Sequence, residues 1–465
     1  MRRLAFAFSA LALAGCTVGP QYAAPKTPPS AGAAFASATP AIAAPAPPPG
    51  DWWRLYSDPV LDGLIQSSLA NNKDLQVALA NLAEARGLLR EARAGRFPST
   101  TTSAGATRGR NRVFNPTVPS SWAYDAGLDV SYEVDLFGRV SRTIEAARAD
   151  AEAVAAAADA VRVAVAAETA RAYAEACSAG QSLAVARHSL QLVGDTFDIT
   201  SRRRDAGAAS DFDVARASAL VEQTRAAIPT LEGRRRSSLY QLAVLTGRPP
   251  AEIPAGAEAC AMPPRTTAPI PVGDGAALLA RRPDVREAER RLASATAGVG
   301  VATASLYPSV TLGGSISGNR GGLNQTGNTT LSYSIGPLIS WNFPNVMVAR
   351  ARIAQAEARS AGALARFDAA VLAALQETEQ SLAAYGAELD RRSALAAARD
   401  QNAEAARIAR VRYDAGASSF LELLDAERSL VDSDAALAAS DEALVANQIA
   451  VFKALGGGWQ PPAAG

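Results

Sequence analysis

Between Trp122 and Leu136 the even positions read Trp, Tyr, Ala, Leu, Val, Tyr, Val, Leu. The odd positions include Asp125, Asp129, Ser131, Glu133 and Asp135. A strict period of two predicts a strand with one apolar and one acidic face. The alternation returns further on, where Leu331, Tyr333, Ile335, Ile339 and Trp341 interleave with Ser332, Ser334, Gly336 and Ser340. Val310, Leu312 and Ile316 carry it through "VTLGGSIS". Strands are expected at about 98–110, 121–136, 308–318 and 330–342. Two environments suit them: a soluble core with the polar face in solvent, or a transmembrane barrel with lipid outside and water within. Aromatics at the strand ends and a glycine/threonine background favour the barrel. Four strands cannot close one, so several copies would have to share it, and three copies would supply twelve strands.

Elsewhere the pattern is helical. From Ser141 to Arg204 there is no proline, and Ala, Arg, Glu, Asp and Val dominate; the run from Met347 to Arg412 is alike. At about 1.5 Å per residue the first run would extend roughly 95 Å. Asp150, Asp159, Arg162 and Glu168 interrupt its apolar positions, which makes it too polar to cross a bilayer. Strong helix formers at this length predict coiled-coil-like packing, with alanine permitting close approach. Gly180 and Gly386 are expected to mark matching irregular points along the two runs.

Composition fits that picture. Hydrophobic residues make up 48% of the chain but aromatics only 6%, which favours close-packed helices over a bulky core. The formal net charge is +1, so there is no basic surplus of the kind nucleic acid binding draws on. With one histidine and three cysteines in no cluster, zinc-type sites lack ligands, and no metal or cofactor is expected.

The chain repeats itself. "NNKDLQVALANLAEARGLLREARAGRFPS" from Asn71 aligns with "RRPDVREAERRLASATAGVGVATASLYPS" from Arg281. "VDLFGRV" at Val134 aligns with "SWNFPNV" at Ser340, and "VLTG" at Val244 echoes "ALGG" at Ala454. Each half runs helix, strand pair, very long helix, turn, helix: an internal duplication. The first repeat is placed at 51–260 and the second, with the C-terminal tail, at 261–465. The turns carry "DAG" at Asp205 and Asp414, expected as tip turns 205–210 and 414–419. Gly207 and Gly416 suit the left-handed position that ends a helix. Ser210 and Ser419 suit N-caps, with Asp213 and Glu422 three residues on as in a capping box.

The N-terminus supplies an address. Arg2 and Arg3 precede an apolar run from Leu4 to Ala14, which ends in "LAGC" at Cys16. Such a run is a secretory signal, too short to span a membrane. Residues 1–15 read as the signal peptide, and the small residues before Cys16 resemble the lipobox of bacterial lipoproteins. That resemblance implies cleavage before Cys16 and its lipidation. Thr17 in place of Asp resembles the lipoproteins sorted to the outer membrane. Residues 16–50 follow as lipid anchor and tether, with nine prolines from Pro20 to Pro49 and an extended reading. "DWWRLYSD" then offers aromatics to dock on a body.

Lipobox, proline-rich tether, the duplicated plan and "YDAGASSFLELLDAERSL" together resemble the TolC-type outer membrane factors, in the lipoprotein branch with NodT-like and OprM-like efflux subunits. The resemblance covers nearly all of the mature chain. It implies an α+β membrane protein: a trimeric 12-stranded transmembrane β-barrel with four strands per protomer, continued by a 12-helix periplasmic α-barrel, with a mixed equatorial domain. It implies an outer membrane conduit in a tripartite efflux system of a Gram-negative bacterium, passively carrying small molecules outward. The partners implied are a homotrimer, outer membrane lipid, a periplasmic adaptor of the membrane fusion type, and an inner membrane pump of the resistance-nodulation-division type.

By position, Glu422 and Asp425 match that family's carboxylate rings at the periplasmic aperture. Asp213 matches an acid that meets a tyrosine, here Tyr413. Residues three apart share a helix face, so three chains would present six carboxylates to a narrow pore, an arrangement that favours cations. Capping is the competing role for Asp213 and Glu422. Ser418 stands where some relatives place an arginine that braces the closed state, and Arg412 and Arg428 are the candidates to replace it. Folding Cys260 back to the height of Cys177 allows a disulfide; two separately buried thiols are the alternative.

Three other readings compete. A type I polypeptide secretion channel shares the plan, though the lipoprotein type favours small-molecule efflux. An enzyme is opposed by His188 standing alone in a helical run. It is opposed also by "GVGVATA" at Gly298, which lacks the strand a phosphate loop needs. A structural coiled-coil lipoprotein does not account for the lipid-compatible strands.

Overall fold

The computed structural model describes residues 17–109, 120–266, 268–321, 329–341, 343 and 346–459. The first half of the chain carries helices α1 (Pro59–Asn71) and α2 (Lys73–Ala94), strands β2 (Ser99–Gly109) and β3 (Ser121–Val134), then helices α3 (Arg139–Asp205) and α4 (Asp211–Leu245). The second half repeats the order with α5 (Gly275–Arg281), α6 (Pro283–Ala304), β5 (Ser309–Gly321), β6 (Thr330–Ser340), α7 (Val346–Asp414) and α8 (Phe420–Ala454). Two short strands, β1 (Ala43–Ala44) and β4 (Ile270–Pro271), pair in parallel outside that plan. Among the described residues no helix is long and apolar enough to cross a membrane.

The chain divides into two compact units. One takes the described residues up to Lys26, Asn81–Ala155 and Glu287–Ala369. Its centre is an antiparallel sheet in the order β2-β3-β5-β6, so the two halves of the duplication meet at the β3–β5 pairing. Strand exit is set by Asp135, whose carboxylate accepts from the N–H groups of Val140 (2.9 Å) and Ser141 (2.8 Å). Those are donors that the first turn of α3 leaves unpaired. Asp135, expected on the acidic strand face, therefore lies past the strand and holds the helix start.

The other unit takes Thr27–Ala80, Ala156–Arg286 and the chain from Ala370 onward. Trp52 is fully buried, its ring stacked 4.7 Å from that of Phe452, with Leu61, Ile65, Leu242, Leu382 and Val445 around it. Ala166, Ala170, Ala172 and Ala176 of α3 are buried in the same core, where a small side chain lets helix backbones come close. Asp58 starts α1 by accepting from Val60 and Leu61 N–H at 2.8 and 3.1 Å, with Pro59 in the first turn.

The proline-rich segment is not a loose tether. Phe35 and Ile42 are buried, β1 hydrogen-bonds alongside β4, and Glu379 on α7 accepts from the N–H groups of Ala36 (2.7 Å) and Ser37 (2.9 Å). Nor is it extended throughout: it takes a 3-10 turn at Pro29–Gly32 and further turns closed by Ala38 N–H on Phe35 O and Ile42 N–H on Thr39 O, and the two apolar side chains pin it down. Gly180 and Gly386 also differ from expectation, since both lie inside unbroken helix. A Cβ at Gly180 would sit 2.9 Å from the Cys260 carbonyl oxygen, and one at Gly386 3.5 Å from Ile42 Cδ1. These glycines mark where another segment crosses a helix closely, not where the helix breaks.

Candidate functional site

Two hairpin tips lie in the second unit, and they are built alike. Gly207 (φ +74°) and Gly416 (φ +68°) are left-handed. Gly207 N–H donates to Arg204 O (2.9 Å) and Ala208 N–H to Arg203 O (2.7 Å). Gly416 N–H donates to Tyr413 O (3.0 Å) and Ala417 N–H to Arg412 O (2.7 Å). This is the Schellman closure of a helix end. A Cβ at either glycine would meet nothing within 4 Å, so it is the backbone conformation that calls for glycine.

The caps that follow diverge. Ser210 Oγ accepts from Asp213 N–H (3.2 Å), and Asp213 Oδ2 accepts from Ser210 N–H (3.1 Å) and Oγ (2.7 Å), a complete capping box. Ser419 does half of this, accepting from Glu422 N–H at 3.3 Å. The Glu422 carboxylate makes no return bond among the described residues. It is exposed on the same flank as Asp425, one turn further on, while Leu423 and Leu424 between them are buried.

Among the described residues the Asp213 carboxylate is engaged by its own cap and makes no contact with Tyr413. Tyr413 is buried among Val193, Leu220, Phe420 and Leu424, and the charged group on it is Arg203. The Arg203 guanidinium carbon lies 4.1 Å from the Tyr413 ring centroid. Both its terminal nitrogens donate to Tyr413 O at 3.3 Å, and Asp414 is 3.9 Å away. One side chain thus ties the end of α3 to the end of α7. Arg412 instead turns back to donate to Ala417 O in its own turn (3.4 Å). Arg428 is exposed along a cavity of about 480 Å³ between α3, α4 and α8. The signal for Arg203 was the run of three arginines, Arg202 to Arg204, just before the first turn.

Above the tips lies a second group that sequence reasoning missed. Glu427 on α8 is 1% exposed and accepts from Thr196 Oγ1 on α3 (2.7 Å) and from the Arg410 guanidinium on α7. Its other oxygen, Oε2, is buried without a hydrogen-bond partner among the described residues. Burial raises the carboxyl above the ordinary glutamate value; Thr196 and Arg410 pull it down, and Asp195 adds a smaller upward push. The clue was its place in the apolar stripe Phe420, Leu423, Leu424, Glu427, a charge at a core position of the helical period.

Cys177 and Cys260 form a disulfide with their Cα atoms 5.0 Å apart, tying α3 to the connector that follows α4. Cys16 lies outside the described residues. Among those described, no cluster of three or more His, Cys, Asp or Glu is placed to hold a metal.

In the first unit the ladder fixes which residues share a face, because directly paired residues point the same way. Tyr124, Leu128, Val130 and Tyr132 pair across β3–β5 with Arg320, Ile316, Gly314 and Leu312. Across β5–β6, Ile316, Gly314 and Val310 pair with Tyr333, Ile335 and Ile339. This apolar face is open, with Tyr333 82% and Ile335 84% exposed. The opposite face carries Ser99, Thr101, Asp125, Asp129, Ser315, Ser317, Ser332 and Ser334, and serine pairs bridge β5 to β6 at 2.8 Å. Gly105 makes room there for Asp125, whose Oδ1 would lie 2.6 Å from a Cβ at that position. Glu133 is ion-paired with Arg139.

A mixed helix-and-sheet chain with an open greasy sheet face, a hydroxyl- and acid-lined opposite face and long polar helices defines a subunit of an outer membrane channel. The chain belongs to the family described as Outer membrane efflux protein, which matches it twice, at residues 64–248 and 276–457. It is 31% identical to Nodulation protein T of Rhizobium leguminosarum bv. trifolii over 91% of this chain and 90% of that one. It is also 31% identical to the antibiotic efflux pump outer membrane protein ArpC of Pseudomonas putida, over 98% and 95%. In three dimensions it is similar to the outer-membrane channel OprN, with a TM-score of 0.88 and 36% identity over 96% of this chain and all of that one. The protein is an outer membrane efflux component with a periplasmic extension.

Proposed function

We propose that three copies of this chain close a 12-stranded barrel in the outer membrane and continue it as a 12-helix periplasmic tube, through which small molecules pass passively to the exterior. The observation that carries this reading is the four-stranded sheet itself. Its order leaves β2 and β6 as edges with unpaired backbone groups, and its exposed apolar face has no partner among the described residues. An open edge and a bare greasy face are each costly in water, and both costs vanish when identical sheets join edge to edge in lipid. Lipidation at Cys16 adds an anchor to a body the barrel already holds.

The hairpin tips form the closed aperture. Exposed Glu422 and Asp425, repeated threefold, give a ring of carboxylates that favours cations, and Arg203 on Tyr413 holds neighbouring hairpin ends together. A periplasmic adaptor docks at the tips and dilates them, and an inner membrane pump of the resistance-nodulation-division type supplies the energy. The printed name of the Pseudomonas putida relative, an antibiotic efflux pump component, supports small-molecule cargo over secreted polypeptides. The test is single-channel recording in planar bilayers. Glu422→Ala with Asp425→Ala should raise conductance and lower cation preference, and unchanged conductance in a correctly assembled trimer leaves these two acids no role at the aperture.

A further inference from the structure

The apolar sheet face carries two charges among its described residues, and both are arginines at the same end. Arg108 is the penultimate residue of β2, and Arg320 that of β5. Both lie at the turn end of the sheet, away from the strand ends that lead into helices. In register, Arg108 stands opposite Trp122 and Arg320 opposite Tyr124, on the β3 strand between them. The Trp122 and Tyr124 rings are stacked 6.3 Å apart at 18°, each about half exposed, and the Arg108 guanidinium carbon is 6.0 Å from the Trp122 centroid. The arginine backbones are thus two strand spacings apart across the sheet and two residues apart along it, about 12 Å in all, with an aromatic platform between.

Neither arginine has a carboxylate partner among the described residues. The acids of these strands, Asp125, Asp129 and Glu133, all sit at odd positions of β3 and so on the other face. A guanidinium on a lipid-facing strand is costly at mid-membrane and nearly free at the interface, where its chain extends to the headgroups. There the missing counter-charge comes from the lipid. Guanidinium groups bind phosphate oxygens in bidentate fashion, and flat aromatic faces suit the C–H faces of a sugar ring. We propose that Arg108, Arg320, Trp122 and Tyr124 form a binding site for a phosphorylated sugar headgroup of outer-leaflet lipid. The platform takes a sugar ring and each arginine takes a phosphate. The proposal rests on the barrel reading, which sets this face in lipid with its turn end outward.

The test uses the full-length lipoprotein, purified in detergent, delipidated and titrated with defined lipids under native mass spectrometry. The probes are diphosphoryl lipid A, its dephosphorylated form and phosphatidylglycerol. The wild type should bind diphosphoryl lipid A about tenfold or more tightly than Arg108→Gln/Arg320→Gln. It should also prefer that lipid to the other two, and Arg108→Lys/Arg320→Lys should fall between. Equal binding by wild type and the glutamine variant overturns the proposal, as does equal binding of the dephosphorylated lipid or of phosphatidylglycerol. Channel formation in planar bilayers by both proteins keeps the two readings apart. If channels form and binding is equal, only the lipid site fails; if the wild type forms no channel, the barrel reading fails with it.

Discussion

Glu427 is where the tip region is most open to perturbation. Its buried carboxylate is the acceptor for groups from two other helices, Thr196 on α3 and Arg410 on α7, and Arg410 also reaches toward Leu192 O (3.5 Å). Removing one partner of a fully buried pair costs about 3–5 kcal/mol, because the other charge is left without compensation. Arg410 keeps 27% of its side chain exposed, so water recovers part of that, and Glu427→Ala should cost about 2 kcal/mol of local stability. Amide hydrogen exchange reads this directly: about 2 kcal/mol is roughly a 30-fold loss of protection, confined to the tip ends of α7 and α8. Glu427→Gln keeps an acceptor for Thr196 and should lose less. The pH dependence has a definite sign. Burial raises this carboxyl, so the folded tip binds a proton more readily than the unfolded chain. That contribution is present below the ordinary glutamate value and is lost as pH rises through the raised one. Wild-type tip protection, corrected for intrinsic exchange, should therefore be greater at mildly acidic than at alkaline pH, and Glu427→Gln should flatten the difference. Tip protection in Glu427→Ala within twofold of wild type would refute this account of the cluster.

Gly416→Ala and Gly207→Ala should each destabilise their turn by about 1 kcal/mol through the left-handed backbone alone, visible as faster exchange at the tip; Gly362→Ala, in an open position inside α7, should instead be neutral or stabilising. Reducing the Cys177–Cys260 bridge releases a loop of sequence separation 83. The chain-entropy account gives about 4.5 kcal/mol as its upper effect, so Cys177→Ser/Cys260→Ser should unfold the surrounding unit at lower temperature and abolish the mobility shift of the wild type under reducing conditions.

Periodicity carried most of the architecture, and its failures have physical causes. The β3 alternation placed a strand with an apolar face because a period of two leaves little freedom about which side faces where. It also assigned Asp135 to the acidic face, since the same alternation runs on past the strand into a helix cap. The DAG turns were legible because a left-handed helix end has few solutions and glycine is the commonest. Local signals also predicted the cap at Asp213, whose partner lies three residues away. What was not legible lies across chain distances that no local pattern encodes. Arg203 reaches Tyr413, Thr196 reaches Glu427, and Ile42 lies over Gly386. Each of these depends on which helices become neighbours, and a single sequence states that only through the duplication.

The duplication also shows where two copies of one unit have parted. Counted from the DAG triplets, Asp213 stands where the second repeat has Glu422, Arg216 where it has Asp425, Ser218 where it has Glu427, and Arg203 where it has Arg412. The turns and their Schellman closures are the same, so the scaffold is retained while the charges are reassigned. In the first repeat the acid closes a full capping box and Arg216 lies 5.5 Å from the Phe212 ring centroid. In the second repeat the box is half made, which leaves Glu422 outward beside Asp425, and a further acid is buried against Arg410. The two arginines of the matched pair differ likewise, since Arg203 crosses to the other hairpin and Arg412 folds onto its own. In the proposed trimer the ring of hairpins would alternate in kind: every second tip is self-satisfied, and the tips between them carry the exposed carboxylates of Glu422 and Asp425. Any force that separates α3 from α7 must lift Arg203 off Tyr413 and free Arg410 from Thr196 and Leu192 O. In the proposed trimer the contact between unlike tips, not the turns themselves, would therefore set how readily the aperture opens.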